Sequence, residues 1–274
     1  MLTLDALLAQ AKIRGMPTGK IRGILREYLQ INIMKELYKE AAGRNLFFTG
    51  GTYLRLVHDL KRFSEDLDFN TENITKKEFE ALIVKICAEL KKAGLESKAK
   101  FNHWGNIYAA DLTFPDIEKS YNVISEYSKK EGIIIKIETN KPKWKIRKET
   151  QVISGFGELF PCICTDKRAL FADKIDALTK KTRARHLYDI IFMLSNYFDI
   201  DTGVLAVFGI KEAPGNVIMK RIKEFSKTEL KKQAETLRPF LFEENEADLI
   251  VNAPEIIPAL LEKYKRKTVK NYNN

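Results

Sequence analysis

Cysteine is scarce in this chain of 274 residues. Three of them, an odd and sparse set, exclude a disulfide framework and point to a reducing compartment. Cys162 and Cys164 would share one face of a strand, but Cys87 adds no second pair at zinc-ligand spacing, so all three read as small buried hydrophobes. The three histidines, His58, His103 and His186, form no cluster in the sequence. No apolar run, Ile190 to Leu194 included, approaches the roughly 18 residues that a membrane span needs. The first residues show no basic segment leading into an apolar one, so no signal peptide is expected. Neither a Gly-x-Ser-x-Gly elbow nor a Gly-x-x-x-x-Gly-Lys-Ser/Thr loop occurs, which removes two common catalytic frameworks. There is no internal repeat. A cytoplasmic location without membrane association is the expectation.

What is present is an ordinary globular composition with a basic excess. Hydrophobic residues make up 45% and charged residues 31%, enough apolar surface for a core and incompatible with disorder. Lys and Arg total 47 against 37 Asp and Glu, a net charge of +10. Such an excess raises the local concentration of polyanions, which makes nucleic acid or nucleotide a natural partner class.

Periodicity divides the chain into three stretches. Ile21, Ile24, Leu25, Tyr28, Leu29, Met34, Leu37 and Tyr38 recur at helical spacing after the Pro17-Thr18-Gly19 turn, with Thr18 a candidate N-cap. Leu46 to Thr49 predicts a buried strand that breaks at Gly50-Gly51 into a short helix over 52–60. A strand over 67–70 follows, then a helix over 75–93 with a Thr75-x-x-Glu78 capping box and Gly94 beyond its end. Further strands are expected at 95–101, 106–114, 132–139, 143–147 and 159–165. From Asp166 to about Lys265 helical periodicity dominates, and 267–274 reads as a loose tail. The pattern predicts an α+β fold: an α/β core with its N-terminal helices over 1–165, then a helical domain over 166–274.

The sharpest local signal is Arg62-Phe63-Ser64-Glu65-Asp66-Leu67-Asp68-Phe69. On a strand, Leu67 and Phe69 point to one face while Asp66 and Asp68 point together to the other. Two adjacent carboxylates repel unless a cation sits between them, and hard oxygen ligands suit Mg²⁺ or Mn²⁺. Upstream, Gly50-Gly51 at a strand-to-helix junction would let backbone approach a phosphate at the helix N-terminus, with the Thr52 hydroxyl beside it. Two basic stretches stand apart from this group. Lys141 to Lys148, with Trp144 among its cations, reads either as a protected edge strand or as a phosphate-tracking surface. Lys180 to Arg185 reads as a phosphate-facing or solvated loop.

Gly50-Gly51-Thr52-Tyr53-Leu54-Arg55-Leu56 followed by the Arg62–Phe69 motif closely resembles the first motif of the AbiEii/AbiGii-type nucleotidyltransferase toxins, within the DNA polymerase β-like nucleotidyltransferase superfamily. Lys136-Ile137-Glu138 resembles the second motif, Asp173-Lys174 the third, and Arg185-His186-Leu187-Tyr188-Asp189 the fourth. In the fourth, His186 stands where relatives carry an acid, so Asp189 is the site residue of choice there.

The resemblance implies a polymerase β-like core with a small mixed sheet, and a helical domain that completes the active-site cleft. It implies transfer of a nucleoside monophosphate from an NTP to an acceptor, RNA such as a tRNA 3′ end, with release of pyrophosphate. Asp66, Asp68 and Glu138 would hold Mg²⁺ or Mn²⁺. Gly50, Gly51, Thr52, Arg62, Ser64 and Lys174 would bind the nucleotide, and Lys174 and Asp189 complete the catalytic set. A cognate antitoxin protein is the implied partner. Two other readings use the same residues: a non-catalytic nucleotide- or RNA-binding module on this fold, and a metal-dependent phosphodiesterase with water as the nucleophile.

Overall fold

Two apolar helices and a run of short strands build the first half of the chain. The computed structural model describes residues 1–123, 132–181 and 183–272, the last six of these by backbone alone. Contacts divide the chain into two compact units, Met1–Thr165 and Asp166–Asn274.

In the first unit, α1 (Leu4–Ile13) and α2 (Ile21–Lys39) precede β1 (Phe47–Thr49), α3 (Gly50–His58) and β2 (Leu67–Asn70). There follow α4 (Lys76–Lys92), β3 (Lys98–Trp104), β4 (Ile107–Phe114), the single turn α5 (Ile117–Ser120), β5 (Ile133–Asn140), β6 (Lys148–Gly155) and β7 (Glu158–Thr165). The seven strands form one mixed sheet in the order β3-β4-β5-β2-β1-β7-β6. β5 runs parallel to β2 and β7 parallel to β1; the remaining pairs are antiparallel.

Alternation gives the central strands two unlike faces. Leu67 and Phe69, Ile133, Ile135 and Ile137, Ala110, Leu112 and Phe114 are all buried on one of them. α4 covers that face at β3 and β4, where Phe79 meets the rings of His103 and Tyr108. α2 packs beside α4 and against β5, β6 and β7, burying Ile24, Leu25, Leu29, Ile31, Ile33 and Met34. The opposite face carries Asp68, Lys136, Glu138 and Asp111.

In the second unit, α6 (Lys167–Lys180), α7 (Ala184–Ser195), α8 (Thr202–Val207), α9 (Pro214–Lys223), α10 (Lys227–Leu237), α11 (Asp248–Val251) and α12 (Ala253–Tyr272) pack around α7 and α6. Leu187, Ile190, Met193 and Leu194 bury one side of α7. Among the described residues, no helix is long and apolar enough to cross a membrane.

Several expectations need correction. Thr18 does not cap α2; its N-cap is Lys20, without a side-chain bond, whereas the Thr75/Glu78 capping box of α4 forms in full. Residues 143–147 form no strand, because pairing with β7 starts only at Lys148. The backbone over 267–272, expected as a loose tail, continues α12. Thr182, in the second basic stretch, lies outside the described residues.

Candidate active site

The Arg62–Asp68 segment is fastened before it reaches the sheet. The buried Gln30 side chain on α2 donates to the carbonyls of Ser64 (3.0 Å) and Glu65 (3.1 Å), and Arg26 pairs with Glu65 at 3.0 Å. Arg62 is buried and donates to the carbonyl of Phe63 at 3.1 Å. The Thr52 hydroxyl is buried and donates to the Asp66 carbonyl. This bond ties the start of α3 to the residue just before β2.

The two glycines sit hard against the motif. Gly50 opens α3 with φ +82°, a conformation that favours glycine, and a Cβ there would lie 2.3 Å from the Asp68 carboxylate. A Cβ on Gly51 would lie 2.6 Å from the Arg62 guanidinium and 2.9 Å from the Ser64 hydroxyl. The absence of both side chains therefore lets neighbouring side chains pack directly on bare backbone. Asp68, Arg62 and Ser64 are those neighbours, so that with Gly50 and Gly51 five of the predicted site residues meet within a few ångströms.

Asp66 and Asp68 are half-buried while Leu67 and Phe69 are in the core, the alternation expected of this strand. The parallel register sets Asp68 beside Glu138, so these carboxylates share one face. Glu138 is turned toward its own strand, where the Lys136 ammonium donates to it. Burial alone would lower the Lys136 pKa. The bond to Glu138, with the charges of Glu138, Asp66 and Asp111, outweighs that and raises it above the ordinary lysine value. The Lys136 Nζ also stands 4.7 Å over the Trp104 ring.

Oxygen-only donors on one polar face suit a small hard divalent cation. Among the described residues, however, no three acidic, histidine or cysteine side chains are gathered closely enough to enclose a metal ion. Glu138 instead has the Lys136 ammonium as its partner. Asp66 and Asp68 present the oxygen donors that a divalent ion takes, with Glu138 one strand from Asp68 and in register.

The helical unit treats its charges differently. The Lys174 ammonium pairs with the Asp189 carboxylate at 2.9 Å, with the side chains 8% and 0% exposed. Asp173, next in the chain, is exposed. The buried His186 imidazole has no hydrogen-bond partner among the described residues on either ring nitrogen. Burial, and then the nearby Lys174 charge, push its pKa down to about 3, so it is neutral through the physiological range.

The sequence reading missed Gln30, Arg26 and Trp104. A polar glutamine within the apolar run of α2 was the one available signal for Gln30.

This sheet, with Asp66 just before and Asp68 on the strand that follows a glycine-opened helix, has the fold of known nucleotidyltransferases. JHP933 from Helicobacter pylori superposes with a TM-score of 0.56 at 16% identity, over 92% of this chain and 97% of that one. MenT4, a nucleotidyltransferase toxin from Mycobacterium tuberculosis, does so with a TM-score of 0.59 at 15% identity, over 97% of this chain and 93% of that one. A search of curated protein sequences finds no match. The family model described as "Nucleotidyl transferase AbiEii toxin, Type IV TA system" matches residues 32–255. The chain belongs to this family of toxin–antitoxin nucleotidyltransferases.

Proposed function

We propose that this chain moves a nucleoside monophosphate from an NTP onto an RNA 3′ hydroxyl, such as a tRNA end, as the toxin partner of a cognate antitoxin. The acceptor oxygen attacks the α-phosphorus, the bond to the bridging oxygen breaks, and pyrophosphate leaves. Asp66, Asp68 and Glu138 would hold Mg²⁺ or Mn²⁺. Such an ion neutralises charge on the phosphates and favours the in-line geometry. Glu138 takes the proton of the attacking hydroxyl, a role open to a carboxylate within reach of it.

The Gly50-Gly51 backbone receives the phosphates, with Arg62 and Ser64 beside it. Thr52 keeps Asp66 in place through its carbonyl. In the helical unit we assign Lys174 to the substrate's phosphates as a point charge, its ammonium oriented by Asp189. The cytoplasm, where NTP and RNA are available, is the fitting compartment.

The observation that carries this reading is the packing of Gly50 on the Asp68 carboxylate. It sets the bare backbone at the start of α3 against a metal-suited acid, two of the parts that triphosphate chemistry uses. The test is incubation of the protein with Mg²⁺ or Mn²⁺, each α-labelled NTP in turn, and total RNA. Label entering an RNA band identifies the transferase and its nucleotide. Label on protein replaces the acceptor. Release of labelled monophosphate without attachment favours the phosphodiesterase.

A further inference from the structure

The carboxylate face of the sheet does not end at Glu138. Through the antiparallel registers it continues over Ala109 and Asp111 on β4 to Lys98, Lys100, Asn102 and Trp104 on β3, the edge strand. Asn102 donates to Asp111 at 2.7 Å, which occupies that acid. Lys98 and Lys100 are exposed, and neither forms an ion pair with a described residue. Trp104 is 46% exposed.

Edge lysines alone have a simpler explanation, since they discourage strand-to-strand aggregation. That explanation does not cover an indole left open on the same strand and the same face. Nor is the ring there by default. Ala109, fully buried, is small enough for Lys136 to cross the sheet and place its ammonium over the indole. The ring is therefore held by a cation–π contact and linked through Lys136 to Glu138.

From these observations we infer that the β3 edge is the path by which a single-stranded RNA acceptor reaches the carboxylates, with Trp104 stacking on a base and Lys98 and Lys100 following the phosphates. The inference rests on the transferase reading above and extends it to the acceptor. Cations in line with an exposed aromatic ring are what sequence-tolerant single-strand binding uses. From β3 to β2 is three strand spacings, about 14 Å, which the last few nucleotides of a 3′ end can bridge. A protein partner fits less well, because this face offers scattered rings and charges rather than an apolar centre.

The experiment measures affinity of the full chain for a short, fluorescein-labelled, mixed-sequence single-stranded RNA by anisotropy. Trp104→Leu keeps the bulk and removes the π-face; it should bind about tenfold more weakly, while Trp104→Phe stays close to wild type. Trp144→Leu, in the other basic stretch, should bind as wild type does. Replacing Lys98 and Lys100 together with alanine should flatten the log–log salt dependence by about 1.4. Wild-type affinity in Trp104→Leu, or a loss in Trp144→Leu alone, overturns the path.

Transfer of α-labelled nucleotide is followed in parallel, so that the two readings can fail separately. RNA binding that depends on Trp104 in a protein that attaches no nucleotide supports the path and removes the transferase. Full transfer and full affinity in Trp104→Leu remove the path and keep the transferase. Melting temperatures of the variants should match wild type, because the ring is half open to solvent.

Discussion

The two units carry acid–base pairs of opposite character. At the sheet, Asp66, Asp68, Lys136 and Glu138 lie half-buried on a polar face and keep partial contact with solvent. Among the helices, Lys174 and Asp189 meet at 2.9 Å with almost no exposure, near an imidazole that lacks hydrogen-bond partners among the described residues. A half-exposed acid can exchange partners at modest cost, whereas a buried ion pair loses much of its solvation and depends on its mate. Acids of the first kind suit the chemistry proposed for the sheet, and those of the second suit the holding of a partner in place. The difference follows from local structure: a strand exposes alternate residues along its face, and α7 turns Asp189 inward with Leu187, Ile190 and Met193.

The comparison breaks most readily at Asp189. Asp189→Ala leaves the Lys174 ammonium buried without this counter-charge and should cost about 3–5 kcal/mol of stability, read by urea unfolding. A loss below about 1 kcal/mol would show that the pair behaves as a surface contact. Replacing both residues with apolar side chains of similar size should recover much of the loss.

Gly50→Ala sharpens the other side. The left-handed φ alone costs about 1–2 kcal/mol for an L side chain, and the new Cβ displaces the Asp68 carboxylate. Transfer should fall well beyond what the fall in melting temperature explains. Equal activity and stability in the variant would remove the bare backbone at Gly50 from the account.

His186 provides a smaller, pH-resolved effect. Its folded-state pKa, about 3, lies below the ordinary 6.5, so the unfolded chain binds the proton more readily between those values. Its contribution is fully present above about pH 6.5 and is lost as pH falls toward 3. His186→Phe should reduce the acid-side decline in melting temperature, and an unchanged slope would assign the decline to other groups.

The sequence made the α+β class and the family legible through strong local patterns. Leu67 and Phe69 against Asp66 and Asp68 on β2, and the Thr75/Glu78 box, needed no tertiary information. β6 was missed because it buries few of its residues, and Lys148 to Gly155 lacks the apolar alternation that announces a strand. Residues 143–147 misled in the opposite sense, since Trp144 and Ile146 alternate with cations yet meet no partner strand.

At the site, the glycines and both aspartates could be read locally. The neighbourhood of Asp68 and Glu138 is a matter of register between distant strands, and the Thr52 hydroxyl's partner is a backbone carbonyl fourteen residues on. Neither leaves a mark in spacing or composition. Trp104 gave no signal because its meaning comes from the face it shares.

The central claim is that the carboxylates on the sheet perform the transfer. Its most direct test compares Asp68→Asn with wild type for incorporation of α-labelled nucleotide into RNA, with melting temperatures measured on the same preparations. The account predicts at least about a hundredfold loss of incorporation, since a lost metal ligand removes several kcal/mol of transition-state stabilisation, with little change in melting temperature. Undiminished incorporation by a folded Asp68→Asn protein would contradict it.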